Sequence, residues 1–337
     1  VFLYARLRAF AGNGTAILAL AVVAVAPAAG APTYTTFDVK GASGTVAESI
    51  NDSGTVAGDY TDGKGVTHGF VRAADGTITT FDPSGSTATY QLSINSAGTI
   101  AGLYQDSRAV RHGFVRAADG TISAFDPAAS ANTEPEGINT AGTIAGYYVD
   151  GAGTAHGFIR TSDGTITTID VPKSLETELY GINDGGDVAG YYHAASGKSF
   201  GFLRTAAGTV TKFNPKKSTE TQPVAITADD TVAGSFIDSL EVAHGFVRTP
   251  DGTITQFDPK GSLETQPFSL NKTGQIAGSY QASNGYYGFV RSAKGGIRTI
   301  AIMHSNSVTA ASINTTGLIA GAYADSSGTV HGFIRTP

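Results

Sequence analysis

Thr67-His68-Gly69-Phe70-Val71-Arg72 decides the fold, because its Gly-Phe-x-Arg core returns six times at almost constant spacing. The phenylalanines are Phe70, Phe114, Phe158, Phe202, Phe246, Phe289 and Phe333, separated by 44, 44, 44, 44, 43 and 44 residues. A period of that length belongs to repeat architectures and is too long for a coiled coil. Around the core, short runs rich in Ile, Val, Thr, Phe and Tyr alternate with Gly-centred turns, and no helical period develops.

The second repeat shows the pattern. Tyr90–Ile94 reads as strand A, Thr99–Tyr104 as strand B, Arg111–Arg116 as strand C and Thr121–Asp126 as strand D. Asn95-Ser96-Ala97-Gly98 joins A to B, and Ala117-Ala118-Asp119-Gly120 joins C to D. Both have the Gly that a tight turn needs at its left-handed position, with Asn or Asp side chains to bond nearby backbone. Each unit is therefore expected to be a four-stranded antiparallel meander, the blade of a β-propeller.

A linear solenoid is the competing architecture, and the two ends of the chain discriminate. The last unit carries no D strand after Gly332-Phe333-Ile334-Arg335, whereas Tyr34-Thr35-Thr36-Phe37-Asp38-Val39 matches D strands such as Thr79-Thr80-Phe81-Asp82-Pro83. The expected fold is an all-β, seven-bladed β-propeller over 29–337, a ring closed when the strand at 33–39 completes the C-terminal blade.

A second regularity points the same way. His68, His112, His156 and His244 each precede an Asp by 14 residues, namely Asp82, Asp126, Asp170 and Asp258. Where the His is replaced, by Phe200 or Tyr287, the Asp is replaced as well, by Asn214 and Ala301. The spacing predicts a histidine to carboxylate hydrogen bond within each blade and gives His331 the partner Asp38. Five copies around a ring cannot serve one reaction, so these pairs read as structure.

Residues 1–28 read as a signal peptide: Arg6 and Arg8, an apolar run over 16–26, then small residues ending at Ala28. Without Arg6 and Arg8 the formal charge moves from -6 to -8. The expected product is a secreted or periplasmic, mildly acidic, monomeric chain with no stable membrane insertion and no basic footprint for nucleic acid. The absence of cysteine excludes disulfides, thiolate metal sites and a cysteine nucleophile. No cofactor and no metal site is read from the spacing of His, Asp and Glu.

The chain resembles the HAF family of probable extracellular repeat proteins, through His-Gly-Phe at 68–70, 112–114, 156–158, 244–246 and 331–333 and through Ile-Asn-x-x-Gly followed by Ala-Gly. The family's namesake triplet has Ala in the middle, where this chain has Gly. The resemblance implies export and a propeller-like repeat and brings no established activity. Trp is absent, so the Trp-Asp signature of the commonest seven-bladed propellers is missing.

Conserved scaffold leaves function to the positions at which repeats differ. After a nearly constant Thr at the entry of strand A stand Val46, Tyr90, Glu134, Glu178, Gln222, Gln266 and Thr309. Tyr90, Glu134, Glu178, Gln222 and Gln266, with Glu136 and Tyr180 nearby, are expected at the mouth of the central channel, joined by His193, Lys198 and Tyr286 from the B–C loops. Tyr faces for stacking and Glu or Gln groups for hydroxyls point to a binding module for carbohydrate or a cell-surface polymer. A glycoside hydrolase or polysaccharide lyase using Glu134 and Glu178 is the alternative, with catalytic residues otherwise unassigned; a structural or adhesive surface protein is the third reading.

Overall fold

The computed structural model describes residues 31–337; the signal peptide expected over 1–28 lies outside the described residues. Among the described residues there are 28 β-strands and no helix, so no helix is long and apolar enough to cross a membrane. Four sheets are isolated antiparallel meanders of four strands in sequence order. The other twelve strands form one sheet in hydrogen-bond terms. Single parallel bridges, Gly44 to Val330 and Tyr286 to Ser307, tie its antiparallel groups together. In the second repeat the strands are Ala88–Ile94, Ile100–Gln105, Arg111–Arg116 and Ile122–Phe125, so A begins two residues before the sequence reading and D is trimmed at both ends.

The first strand, Tyr34–Phe37, runs antiparallel to the last, Val330–Arg335, with Tyr34 opposite Arg335 and Phe37 opposite Gly332. Asp38 then lies 2.9 Å from His331 Nδ1. The other four His–Asp pairs have the same geometry, for example 2.7 Å from His68 Nδ1 to Asp82. The second oxygen of such an Asp reaches onward. Asp82 accepts from Thr89 Oγ1 at 2.6 Å and Asp258 from Thr265 Oγ1 at 2.7 Å, so one carboxylate links the end of a repeat to the entry of the next.

The recurring phenylalanine of strand C is fully buried in all seven copies, each contributing about 1.5–3 kcal/mol relative to exposure. The D-strand phenylalanine of the preceding repeat meets it edge-on, as Phe81 meets Phe114 at 5.9 Å and Phe37 meets Phe70 at 6.0 Å. The strand-C arginines tie a turn carbonyl to the preceding repeat. Arg116 donates to the carbonyl of Ala117, the residue that follows it, and lays its guanidinium over Phe81 of the preceding repeat, 5.0 Å from the ring centre. The aromatic residues ending strand B stack on the strand-C residue directly opposite, as Tyr60 does on His68 at 5.1 Å, and also join clusters with the preceding repeat, as Tyr280 does with Ala233 and Val247.

Strand A carries the feature that shapes the interior. Every A–B pair shifts register near its middle, between Ala47 and Ser49 in the first repeat and at the equivalent position in the other six. Each shift is a β-bulge with one extra residue. It swings the preceding carbonyl over strand B, so that a Cβ on Gly102 would stand 2.5 Å from the Tyr90 oxygen and one on Gly190 2.0 Å from the Glu178 oxygen. The repeated Ala-Gly of strand B exists because only glycine fits beneath the bulge.

Candidate functional site

The extra residues of the bulges are Glu48, Leu92, Glu136, Tyr180, Val224, Phe268 and Ala311, and all of them line one cavity of about 680 Å³. A regular strand sends its side chains to the two faces of its sheet, whereas a bulge re-aims one residue. Strand A has one such residue per repeat, and the bulges together supply a variable ring. The cavity lies toward the D–A and B–C connections, since Ser43, Asp59, Thr61, Arg111 and Val330 also border it. Ile138, Ile182, Ile226 and Leu270 border it too and are shared with a second cavity of about 240 Å³ among the A–B turns, so they form a common apolar floor.

Of the residues singled out from sequence, Tyr90, Glu134, Glu136 and Tyr180 line the cavity, and Arg111 joins them. Glu178, Gln222, Gln266, His193, Lys198 and Tyr286 are not among the lining residues. Gln222 and Gln266 stand opposite Ser235 and Ser279 in the ladder before the bulge, and their repeats contribute Val224 and Phe268 to the wall instead. Lys198 is exposed in its loop, and Tyr286 is opposite Gln281 and bridged to Ser307. Sequence reasoning missed Glu48, Leu92, Val224 and Phe268 because alternation places them out of phase; the signal that finds them is the Ala-Gly of strand B, which marks the bulge facing it.

The polar arc of the wall comes from the first four repeats. Glu134 is 3% exposed and ion-paired through Oε1 with Arg111 Nη1. Burial pushes its carboxyl up to about 7 against the opposing pull of Arg111, with Glu178 adding to the rise. Gln91, fully buried, accepts from Ser49 Oγ at 3.1 Å, while its Nε2 finds no hydrogen-bond partner. Burial also raises the Tyr147 and Tyr180 hydroxyls well above the usual phenol range, so both remain protonated donors. Tyr147, Tyr180 and Tyr191 form a run of rings, 6.1 and 5.6 Å between centres. Among the described residues bordering the cavity, the carboxylates Glu48, Asp59, Glu134 and Glu136 outnumber the cation Arg111.

Glu178 is not among the residues that line this cavity, although its charge reaches Glu134. Its Oε2 accepts from Tyr180 at 2.7 Å and Tyr191 at 2.8 Å, and its carboxylate lies with Glu176 and His193 in a cluster whose ligand atoms are within 4.8 Å of one another. Of the two carboxylates singled out as a pair, Glu134 borders the cavity and Glu178 does not.

No family model and no curated protein sequence matches the chain. Among solved structures it is similar to TolB from Acinetobacter baumannii, at 14% identity over 73% of this chain and 62% of that one, with a TM-score of 0.56. It is similar to the β-propeller domain of the Trilobed protease from Pyrococcus furiosus at 9% identity, covering 86% and 94%, with a TM-score of 0.62. It is also similar to puromycin hydrolase at 12% identity, covering 87% and 55%, with a TM-score of 0.60. The chain thus spans less than two thirds of the TolB and puromycin hydrolase chains, and likenesses at these identities show the fold alone. That fold is an all-β propeller built of tandem four-stranded antiparallel sheets.

Proposed function

We propose that this is an exported binding module of the HAF repeat kind, a closed seven-bladed propeller that holds a neutral or basic glycan in the bulge-lined cavity. The observation that carries the reading is where the repeats diverge. Their turns, glycines and phenylalanines recur almost unchanged and the His–Asp pairs in five of seven, while the seven bulge residues include acidic, aromatic and aliphatic side chains and all border one space. A cavity of about 680 Å³ with aromatic walls and few converging polar groups is the form of a small-ligand site.

Tyr90 offers a ring face to a sugar, and Glu48, Glu136 and Arg111 offer hydrogen bonds to its hydroxyls. Gln91 Nε2 adds a buried amide donor with no protein partner. The excess of carboxylates argues against uronic or sialic acids, whose charge would meet Glu48, Asp59, Glu134 and Glu136. Export is supported by the charged, then apolar, then small-residue order of 1–28. Closure is supported by the antiparallel register of Tyr34–Phe37 on Val330–Arg335 and by the bond from Asn314 Nδ2 to the Asn51 carbonyl at 3.0 Å.

A glycan-array screen of the chain from Ala29 onward, with Tyr90→Ala and Glu136→Ala variants, tests the reading. Binding to neutral or basic glycans that either variant weakens tenfold or more is expected. Binding that both variants leave intact would move the site elsewhere, and silence on every glycan would remove the carbohydrate assignment. A hydrolase reading has one favourable observation, the raised carboxyl of Glu134, which suits a general acid. Its partner would be Glu48 or Glu136 rather than Glu178, and cleavage of a bound glycan abolished by Glu134→Gln is its test.

A further inference from the structure

Five imidazoles of this chain share one arrangement and His193 departs from it. His68, His112, His156, His244 and His331 each have a carboxylate at both ring nitrogens: in His112, Asp126 is 2.7 Å from Nδ1 and Asp106 is 3.6 Å from Nε2. The other four repeat this two-sided pattern. Carboxylates on opposite sides of a ring cannot close on one ion together with that ring, so these five sites hold the scaffold.

In the fourth repeat His is replaced by Phe200, and an imidazole enters instead from the end of strand B. His193 is directly opposite Glu176, and Tyr191 opposite Glu178, so Glu176, Glu178 and His193 lie on one face of the hairpin. His193 Nδ1 is 2.8 Å from Ser199 Oγ, and Nε2 is 3.6 Å from Glu176 Oε2. Here Glu176 stands at Nε2, and one ring nitrogen and one oxygen of each carboxylate lie within 4.8 Å of one another. The tautomer in which Nδ1–H donates to Ser199 turns the Nε2 lone pair toward Glu176.

We propose that Glu176, Glu178 and His193 bind one divalent transition-metal ion of the Zn²⁺ class. The donor set, one imidazole and two carboxylates, suits such an ion and leaves a coordination position for water. Two supporting contacts have the form of metal outer shells. Ser199 orients the ring, and the hydroxyls of Tyr180 and Tyr191 hold one oxygen of Glu178. Ligands at about 2.0–2.2 Å from an ion stand about 3–3.5 Å apart. The present spread of up to 4.8 Å therefore closes chiefly by rotation of the Glu176 side chain, which is 37% exposed, toward the imidazole held by Ser199. The set occurs in one repeat only: the third has Asn132, Glu134 and Val149 at these places, and the second Ala88, Tyr90 and Gln105. Tyr180 also borders the central cavity, so the ion would lie behind its wall.

The test is calorimetric titration of the chelator-stripped full chain with ZnCl₂, alongside the visible spectrum of the Co²⁺-loaded protein. One ion per chain is expected, weakened at least tenfold by His193→Ala and by Glu176→Gln, and unchanged by His156→Ala. Circular dichroism melting shows whether each variant is folded. Should His193→Ala not fold, the Co²⁺ spectrum of the unaltered chain decides: d–d bands of a nitrogen- and oxygen-ligated ion support the site, and their absence overturns it. Failure to bind Zn²⁺, or one ion retained fully by folded His193→Ala, also overturns it.

Discussion

A single imidazole shows how position decides the worth of a repeated residue. His331 lies between Asp38 at Nδ1 and Asp325 at Nε2, with Tyr323 packed against its ring at 5.1 Å. Burial alone would lower its pKa, and the two carboxylates outweigh burial and raise it above 6.5. An imidazole raised in the folded state stabilises fully below the unfolded value and loses that contribution as pH climbs through the folded one. His331→Gln is therefore expected to lower the melting temperature most near pH 5.5, with the difference shrinking toward pH 8.5. Asp38 is half exposed, which limits the effect to about 1 kcal/mol or less. Melting curves of both proteins across that range check it, and a gap that widens with pH would contradict the assignment. The 14-residue spacing of His and Asp made this contact readable from sequence, because a tight hairpin fixes which residues face each other. The His193 cluster was not readable that way, since its members meet only through the A–B register.

At the scale of the element, strands and turns were legible and the inward direction of strand A was not. Alternation correctly predicts two sheet faces, and a bulge adds a third direction that no alternation contains. Hence Gln222 and Gln266 were expected at the channel mouth, while Val224 and Phe268 occupy the wall. The A–B turns form a ladder of their own: Asn51, Asn95 and Asn139 each donate from Nδ2 to the carbonyl of the equivalent residue one repeat on, at 3.0–3.1 Å. Thr227 interrupts this ladder by donating instead to Asp229 and to the Thr231 carbonyl. In the same turn Asp230 adopts φ 63°, where the other six repeats have glycine. Thr227→Asn supplies the missing donor toward Asn271 and is expected to raise stability by about 0.5–1.5 kcal/mol, the net value of one hydrogen bond. Chemical denaturation measures it; an unchanged or lower midpoint would mean that the threonine's local bonds equal the ladder bond they replace.

At the scale of the whole molecule, the reading that the ring is closed puts the largest load on a strand of four residues. Tyr34–Phe37 covers the edge of Val330–Arg335, and Thr33 and Thr336 bond across its start, Thr336 N to the Thr33 carbonyl at 3.0 Å. Phe37 packs over Gly332, where a Cβ would stand 2.8 Å from the ring, and also carries the Arg72 guanidinium at 5.0 Å. Val39 is buried in the core with Ala47 and Phe70 of the first repeat. Removing 33–39 thus strips about 1.5–3 kcal/mol for each buried apolar side chain and leaves the backbone groups of a C-terminal edge strand open to pairing with another chain. The expected outcome is a sharply lower melting temperature together with concentration-dependent self-association. A synthetic peptide spanning 31–43, added to the truncated protein, should restore both the melting temperature and the monomer. Rescue by that peptide and not by a scrambled one separates loss of a specific strand from general damage, whereas a truncated protein that melts like the full chain would rule out closure by this strand.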